Sequence, residues 1–470
     1  MSLRYLIAEK AFSKIDIFEQ GDNVGGIWNY SGTDYSIRVP IPQTNPRYGF
    51  GGNPDPQQLD ESITTSSPTE PFGLAFETPL YDNLETNIPH FLMQYSDKAF
   101  PADAPLFPSC EMVLRYIEEY AEGVRHLIRF QTQVVDVRLC DGDSAESDKW
   151  SVTTRDLQSG KMNVGIYDAV MVANGHYTVP HVPDIKGVKE WNIAYPGAII
   201  HSKAYRNPQS FRDKKVLLVG NSASGVDIGV QIGRECKLLL LSSRSESQFG
   251  QTTVNWKEDV PEVLEFLQAE TYDRAVRLKD GRIEEGIDAV VFCTGYFFSL
   301  PFLESLKPQI VTDGLRVRDT YQHMFYIEHP TLAFPVLNCR IIPFTLAENQ
   351  CAVIARIWSG RLSLPSKDEM RKWEQDQINQ QGGGRKFHVL KFPLDAEMLH
   401  MLYEWAQSAK KIKHLENNGT GKMGKFWDKR ESWMRSKLPE IKKAYAERGF
   451  RRFNIRSAEE LGFAYEEKDR

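Results

Sequence analysis

The fold of this chain is decided by the stretch Val216-Leu-Leu-Val-Gly220-Asn-Ser222-Ala-Ser224-Gly225-Val-Asp227. Its apolar start predicts a buried strand, the small residues predict a tight turn, and the residues that follow predict a helix. Small residues in this order let the backbone approach a pyrophosphate, whose charge then lies at the helix N-terminus. A serine stands where the usual pattern has its middle glycine. We therefore predict a dinucleotide site with Gly220, Ser222, Ser224 and Gly225 as cofactor-binding residues.

The next predicted strand, Lys237–Ser242, is followed by an arginine, Arg244, where many dinucleotide sites have an acid. An acid at this position binds a ribose hydroxyl, whereas an arginine suits a 2′-phosphate. The site is thus predicted to take NADPH rather than NADH. On position alone, a solvated surface arginine remains the alternative interpretation.

Strands and helices alternate along much of the chain, which indicates an α/β protein with parallel sheets. Its 470 residues predict two domains, and the chain is mostly helical and charged beyond Met370. The unperiodic segment from Pro40 to Pro79 is interpreted as a long surface loop near a site. The other predicted elements are strands at Lys14–Glu19, Gln133–Leu139, Trp150–Arg155, Asp168–Asn174 and Ala289–Cys293, and helices at residues 2–10 and Met112–Glu122.

Composition and charge exclude several classes of partner. The net charge is −6 without a strong basic block, so neither nucleic acid nor an anionic membrane surface is an expected partner. The six cysteines include no Cys-x-x-Cys pair, so we predict no metal site and no disulfide framework. Since no stretch approaches the roughly 18 apolar residues of a membrane span, no membrane anchor and a cytoplasmic location are expected.

A second nucleotide site is predicted by Glu19-Gln-Gly-Asp-Asn-Val-Gly25-Gly26-Ile-Trp28, directly after the first strand. An acid at a strand end is where an adenosine ribose binds, and paired glycines permit close backbone approach to a phosphate-bearing ligand. Taken alone, a Gly-Gly pair is more often a turn. Trp28 fits either the wall of a flavin site or the core.

Several segments resemble the flavin-containing monooxygenases of the fungal type. The signature Phe-x-Gly-x-x-x-His-Ser-x-x-Tyr is similar to Tyr195-Pro-Gly197-Ala-Ile-Ile-His201-Ser202-Lys-Ala-Tyr205, with Tyr for the first Phe. The related Baeyer–Villiger enzymes would carry Trp-Pro near Tyr205, where this chain has Arg-Asn. The other segments that resemble the family are Val172-Ala-Asn174-Gly175-His176-Tyr177, Asp288-Ala-Val-Val-Phe-Cys-Thr294-Gly295-Tyr296, Leu84-Glu-Thr-Asn87-Ile-Pro and Pro343-Phe-x-x-x-Glu348-x-Gln350.

The resemblance implies two Rossmann-type dinucleotide-binding domains, with the NADPH domain inserted into the FAD domain. The implied boundaries are residues 1–178 for the first FAD part, 179–297 for the NADPH domain, and 298–470 for the second FAD part with a helical C-terminal tail. The implied cofactors are FAD and NADPH. The implied cofactor-binding residues are Glu19, Gly25, Gly26, Trp28, Thr294, Gly295, Tyr296 and Gln350, in addition to those of the Gly220 turn and Arg244.

The activity implied is transfer of one oxygen atom from O2, through a flavin C4a-hydroperoxide, to a nitrogen or sulfur nucleophile of a small molecule in fungal secondary metabolism. Asn87 is the expected catalytic residue, and a homodimer is a possible assembly. His176 and His201 are interpreted as structural, because a lone histidine beside apolar residues is more often hydrogen-bonded than catalytic. The alternatives are a Baeyer–Villiger or N-hydroxylating monooxygenase and an inactive NADPH-binding pseudoenzyme.

The family would place a first strand and a Gly-x-Gly-x-x-Gly turn ahead of Lys14, where this chain has only the predicted first helix. We therefore expect an N-terminally incomplete FAD domain, with a misassigned start favoured over a real truncation or a decayed enzyme. Gly419-Thr-Gly421-Lys-Met-Gly424 matches the glycine pattern letter for letter, but no predicted strand precedes it. It is therefore predicted not to bind a nucleotide.

Overall fold

The computed structural model describes residues 1–30, 38–49, 78–140, 148–244 and 257–467. The unperiodic segment Pro40–Pro79 lies largely outside these ranges. In the described part, the α-helices are α1 Ser2–Glu9, α2 His90–Met93, α3 Cys110–Ala121, α4 Val188–Ala194, α5 Ala223–Gly233, α6 Pro343–Trp358, α7 Lys367–Gln381, α8 Leu394–Gln407, α9 Lys429–Ser436 and α10 Leu438–Glu447.

The strands of the described part belong to several sheets. In chain order they are β1 Ile17–Phe18, β2 Ile128–Arg129, β3 Thr132–Leu139, β4 Trp150–Asp156, β5 Met162–Tyr167, β6 Val170–Met171, β7 Val179–Pro180, β8 Ile199–His201, β9 Lys215–Val219, β10 Leu238–Ser242, β11 Lys257–Val260, β12 Val263–Phe266, β13 Val276–Leu278, β14 Ile283–Glu284, β15 Ala289–Phe292, β16 Tyr296–Phe297, β17 Thr320–Tyr321, β18 Phe325–Tyr326 and β19 Leu332–Ala333.

The largest sheet is built around β9, the strand that leads into the Gly220 turn. Its order is β11-β10-β9-β15-β8, and every neighbouring pair is parallel. Val216, Leu217 and Leu218 of the central strand are fully buried, because helices and loops cover both faces of such a sheet. The strands predicted around Val216–Gly220, Lys237–Ser242 and Ala289–Cys293 are thus confirmed.

The chain enters and leaves this region through two segments that run side by side. β7 pairs antiparallel with β16, with Val179 opposite Phe297 and Pro180 opposite Tyr296. This pairing lies at the predicted boundaries, 178/179 and 297/298, which themselves stay predictions.

A cleft of about 2590 Å³ separates two short parallel ladders in the remainder of the chain. β1 pairs only with β2, and β6 pairs only with β19, among the strands of the described residues. Both β1 and β6 are edge strands, and both line the cleft. The strands predicted at Lys14–Glu19 and Asp168–Asn174 are therefore much shorter than expected, since a ladder extends only where a partner strand lies beside it. The predicted pairing of Gln133–Leu139 with Trp150–Arg155 is confirmed by β3 and β4.

The C-terminal helices complete a buried core around α3. Ile441 and Tyr445 of α10 and Leu461 lie in one buried cluster with Tyr116 and Tyr120 of α3. No helix within the described ranges combines the length and apolarity needed to cross a bilayer.

Helix α1 is held by a buried charge cluster. Both oxygens of Glu9 accept hydrogen bonds from Arg361 at 2.8 Å, and Arg356 lies 3.8 Å away. All three side chains are at most 5% exposed. Other donors of the two guanidinium groups bond the main-chain oxygens of Gly419, Thr420 and Lys422. This second glycine-rich loop therefore presents carbonyl groups to cations, the opposite of the N–H groups that cradle a phosphate.

Candidate functional site

The Gly220 turn has the geometry that close approach to a nucleotide requires. Gly220 has a φ of 111°, and a Cβ there would lie 2.5 Å from the Cys293 carbonyl oxygen. A Cβ on Gly225 would lie 2.0 Å from the Gly220 oxygen, so only glycine fits at the start of α5. Ser222, at the N-cap, makes no side-chain capping bond, and both Ser222 and Ser224 are exposed. The helix N-terminus is thus open to an anionic ligand.

Arg244 follows the end of β10, the strand beside the Gly220 turn. Its side chain is 76% exposed and forms an ion pair with Glu262. An exposed ion pair of this kind contributes about 0–1 kcal/mol, so a phosphate can displace the carboxylate at little cost.

Thr294 and Gly295 lie in the connection between β15 and β16, and Tyr296 is the first residue of β16. The Gly295 carbonyl accepts a hydrogen bond from the main-chain N–H of His181 at 2.9 Å and from His201 Nε2 at 3.1 Å. The Thr294 hydroxyl donates to the His181 carbonyl. Since Nδ1 of His201 accepts from the Lys203 N–H, its proton is on Nε2. Burial lowers the pKa of His201 to about 3, so the ring is neutral and its contacts are structural.

Glu19, Gly25 and Gly26 all line the large cleft. Glu19 ends the first ladder and accepts a hydrogen bond from the Gly21 N–H at 2.7 Å, and burial raises its pKa. Gly25 has a φ of 108°, and a Cβ there would lie 2.6 Å from Leu114 Cδ1, while Gly26 has open space where a Cβ would stand. An acid at a strand end beside a glycine turn fits the ribose and phosphate part of a flavin nucleotide.

Trp28 and Gln350, predicted to bind a cofactor, do not line this cleft. Trp28 packs against the buried cluster that contains Tyr116, and so faces the core. Gln350 is fully buried in α6. Its Oε1 accepts from the Val336 N–H at 2.7 Å and its Nε2 donates to Asn338 at 3.1 Å, so both polar ends of the side chain are used within the protein. Sequence position alone does not reveal such side-chain directions.

Asn87 lies on a half-buried segment that is fixed at both sides. Lys442 donates to the Thr86 carbonyl at 2.7 Å, and Arg452 forms an ion pair with Glu85 at 2.9 Å. Among the described residues, the Asn87 amide has no hydrogen-bond partner, and it is not part of the cleft wall. The structure therefore holds the backbone around Asn87 while leaving its side chain available.

Arg385 is a residue that no motif in the sequence indicates. It follows three glycines in the loop between α7 and α8, and its Nη1 donates to the Tyr296 carbonyl at 3.3 Å. Nothing in the sequence near Arg385 ties that loop to a turn some ninety positions earlier in the chain.

Known proteins resemble this chain along most of its length. A family model described as flavin-binding monooxygenase-like matches residues 75–256 and 260–392. A relative from Arabidopsis thaliana, flavin-containing monooxygenase FMO GS-OX-like 2, is 34% identical over 75% of this chain and 70% of its own. Flavin-containing monooxygenase ustF2 from Aspergillus flavus is 28% identical over 86% of this chain and 88% of its own.

Among solved structures, the S-allyl-L-cysteine S-oxygenase of Allium sativum superposes on 98% of this chain and 93% of its own, with a TM-score of 0.73 and 26% identity. Cyclohexanone monooxygenase superposes on 85% of this chain and 94% of its own, with a TM-score of 0.52 and 12% identity, which is a likeness of fold alone. These likenesses confirm the predicted α/β class with two dinucleotide-binding domains. Since the family model covers more than half of its residues, this chain belongs to the flavin-binding monooxygenases, oxidoreductases that use FAD and NADPH.

Proposed function

We propose that this protein transfers one oxygen atom from O2 to a nucleophilic sulfur or nitrogen of a small molecule. The observation that carries the proposal is the presence in one chain of a glycine turn open to an anion at Gly220 and Gly225, and of a cleft lined by Glu19, Gly25 and Gly26. A sulfur substrate is favoured because the Allium sativum relative that matches nearly the whole chain is named an S-oxygenase.

The residues fit the two cofactors in different ways. The Gly220 turn and Arg244 would hold NADPH, and Glu19 with the Gly25–Gly26 turn would hold the adenosine part of FAD. When bound, FAD supplies the reaction with O2 that no side chain can supply. The protein's own contribution is to orient the two nucleotides and to keep water from the reacting atoms, which is why no Ser-His-Asp or paired-carboxylate arrangement is needed.

We expect Asn87→Ala to uncouple NADPH oxidation from product formation. The free amide is proposed to donate a hydrogen bond at the reacting centre, and loss of one such donor lowers the rate on the order of 100-fold. Product and H2O2 formed per NADPH consumed are the quantities to measure. Asn163→Ala, at an exposed position of β5, is the control. Unchanged coupling in Asn87→Ala would remove this residue from the mechanism.

We expect Arg244→Ala to raise the KM for NADPH by about tenfold or more while leaving the KM for NADH nearly unchanged, because a charge-assisted bond to the 2′-phosphate contributes about 1.5–3 kcal/mol. Initial rates with both nucleotides test this. Arg212→Ala removes another exposed arginine that pairs with an acid, Glu235, and serves as the control. Equal effects on both nucleotides would contradict the 2′-phosphate assignment.

The activity itself is tested with FAD-reconstituted protein, NADPH and ¹⁸O2. The visible absorption band of the purified protein gives the flavin content, and a value near one per chain would show that the residues present suffice to hold FAD. An S-alkylcysteine, a tertiary amine and a cyclic ketone are offered in turn, and a labelled sulfoxide is the expected product. A labelled lactone would instead identify a Baeyer–Villiger enzyme. Protein that binds NADPH but no flavin would identify a pseudoenzyme.

A further inference from the structure

A second arginine, from the chain after residue 297, reaches the end of the parallel sheet built around β9. Arg385 belongs to the region after residue 297, yet its guanidinium lies over the turn that follows β15. Its Nη1 donates to the Tyr296 carbonyl at 3.3 Å and would lie 3.7 Å from a Cβ on Gly295, and its Cζ lies 5.4 Å from the Phe297 ring centre. Because β15 is next to β9, this position is beside the Gly220 turn.

The groups that act on the charge of Arg385 are of both signs. Burial lowers the pKa of the Arg385 guanidinium, Cys339 and Asp313 raise it, and the charge of Arg244 lowers it. His181, which packs on the same Phe297 ring, has its pKa lowered to about 4 by burial and also by the charges of both arginines. Arg244 follows β10 and Arg385 lies against the turn that follows β15. These two strands flank β9 in the parallel sheet, so both arginines lie at the same edge of the sheet as the Gly220 turn.

Neither arginine has a buried acidic partner among the residues that the structure describes. Among the residues that the structure describes, Arg385 forms no ion pair, although Asp313 lies near enough to act on it. Arg244 has only the exposed pair with Glu262. In the same part of the chain, Nδ1 of His181 is buried without a hydrogen-bond partner. Cations held together beside an open helix N-terminus are the arrangement that a phosphate dianion stabilises.

We propose that Arg385 binds the 2′-phosphate of NADPH together with Arg244, so that the phosphate is held from both parts of the chain. The inference rests on the proposed NADPH site at Gly220–Gly225. It adds a specificity residue on the FAD side of the site, where the usual sequence pattern has none to offer.

The test is binding of NADP⁺, NAD⁺ and 2′-AMP to the purified protein, measured by calorimetry without turnover. We expect Arg385→Ala to weaken the binding of NADP⁺ and of 2′-AMP by about tenfold or more. The binding of NAD⁺ should stay unchanged. Arg385→Lys should recover part of the loss, because it keeps the charge but not the forked geometry. The neighbouring exposed Lys386, changed to Ala, is the control for loss of one positive charge.

Three results would overturn the proposal, and they are distinguishable. Unchanged NADP⁺ binding in Arg385→Ala, together with a loss in Arg244→Ala, would refute the second arginine and leave the NADPH site intact. Equal weakening of NADP⁺ and NAD⁺ would place Arg385 at the pyrophosphate instead. Binding of neither nucleotide to the unaltered protein would refute the NADPH site and this inference with it.

Discussion

Gly225→Ala is expected to abolish NADP⁺ binding, whereas Gly229→Ala, one turn further along the same helix, is expected to leave it unchanged. A Cβ at Gly225 would lie 2.0 Å from the Gly220 carbonyl oxygen, so the turn must open to admit it. At Gly229 the nearest atoms are Leu239 Cδ2 at 3.5 Å and Leu218 Cδ1 at 3.6 Å, which are ordinary contacts. The two variants make the same chemical change in the same helix and differ only in the space around it.

Calorimetry with NADP⁺ and thermal unfolding of both variants separate binding from stability. Overpacking at Gly225 should cost about 1–3 kcal/mol of stability. Gly229→Ala should be neutral or stabilising by up to about 1 kcal/mol, because alanine favours the helix. Wild-type NADP⁺ affinity in a folded Gly225→Ala variant would show that the nucleotide does not bind at this turn.

Glu9→Ala is expected to lower the stability of the protein around α1 by about 3–5 kcal/mol, the typical cost of leaving a buried charge without its partner. The change would leave Arg356 and Arg361 facing each other at 0% and 5% exposure, with only neutral carbonyl groups as acceptors. At about 2–4 °C per kcal/mol, the melting temperature should fall on the order of 10 °C.

Differential scanning calorimetry measures this change directly. Glu328→Ala is the matched control, because Glu328 pairs with Arg371 at the protein surface, where the loss should be below about 1 kcal/mol. Similar small losses in both variants would mean that water or main-chain groups replace the Glu9 carboxylate. The cluster would then contribute little to holding α1.

The features that could be predicted are those encoded within a few neighbouring residues. The strand, turn and helix around Gly220 are predictable because an apolar run, small residues and a helical segment follow one another directly. The position of Arg244 follows from the same unit. The second glycine pattern lacks a preceding strand, and the structure adds another reason to expect no nucleotide there: its carbonyl groups, rather than its N–H groups, converge on Arg356 and Arg361.

The features that could not be predicted depend on distant parts of the chain. Trp28 and Gln350 stand in segments that resemble the family, but packing directs their side chains into the core. Arg385 comes to the nucleotide turn only through the folding of the region after residue 297. The lengths of β1 and β6 are overestimated from the sequence for a similar reason, since an apolar run predicts burial but only a neighbouring strand provides a ladder.

The contacts of α10 also bear on the order in which the chain can fold during synthesis. The parallel sheet uses strands between residues 199 and 292, so all of its partners are available once that part has left the ribosome. The core around α3 must wait longer, because it also needs Ile441, Tyr445 and Leu461, which follow α3 by more than three hundred residues. Non-local contacts of this kind slow folding and leave apolar surface exposed meanwhile. Chaperone demand should therefore fall on the core around α3, while the parallel sheet can assemble earlier.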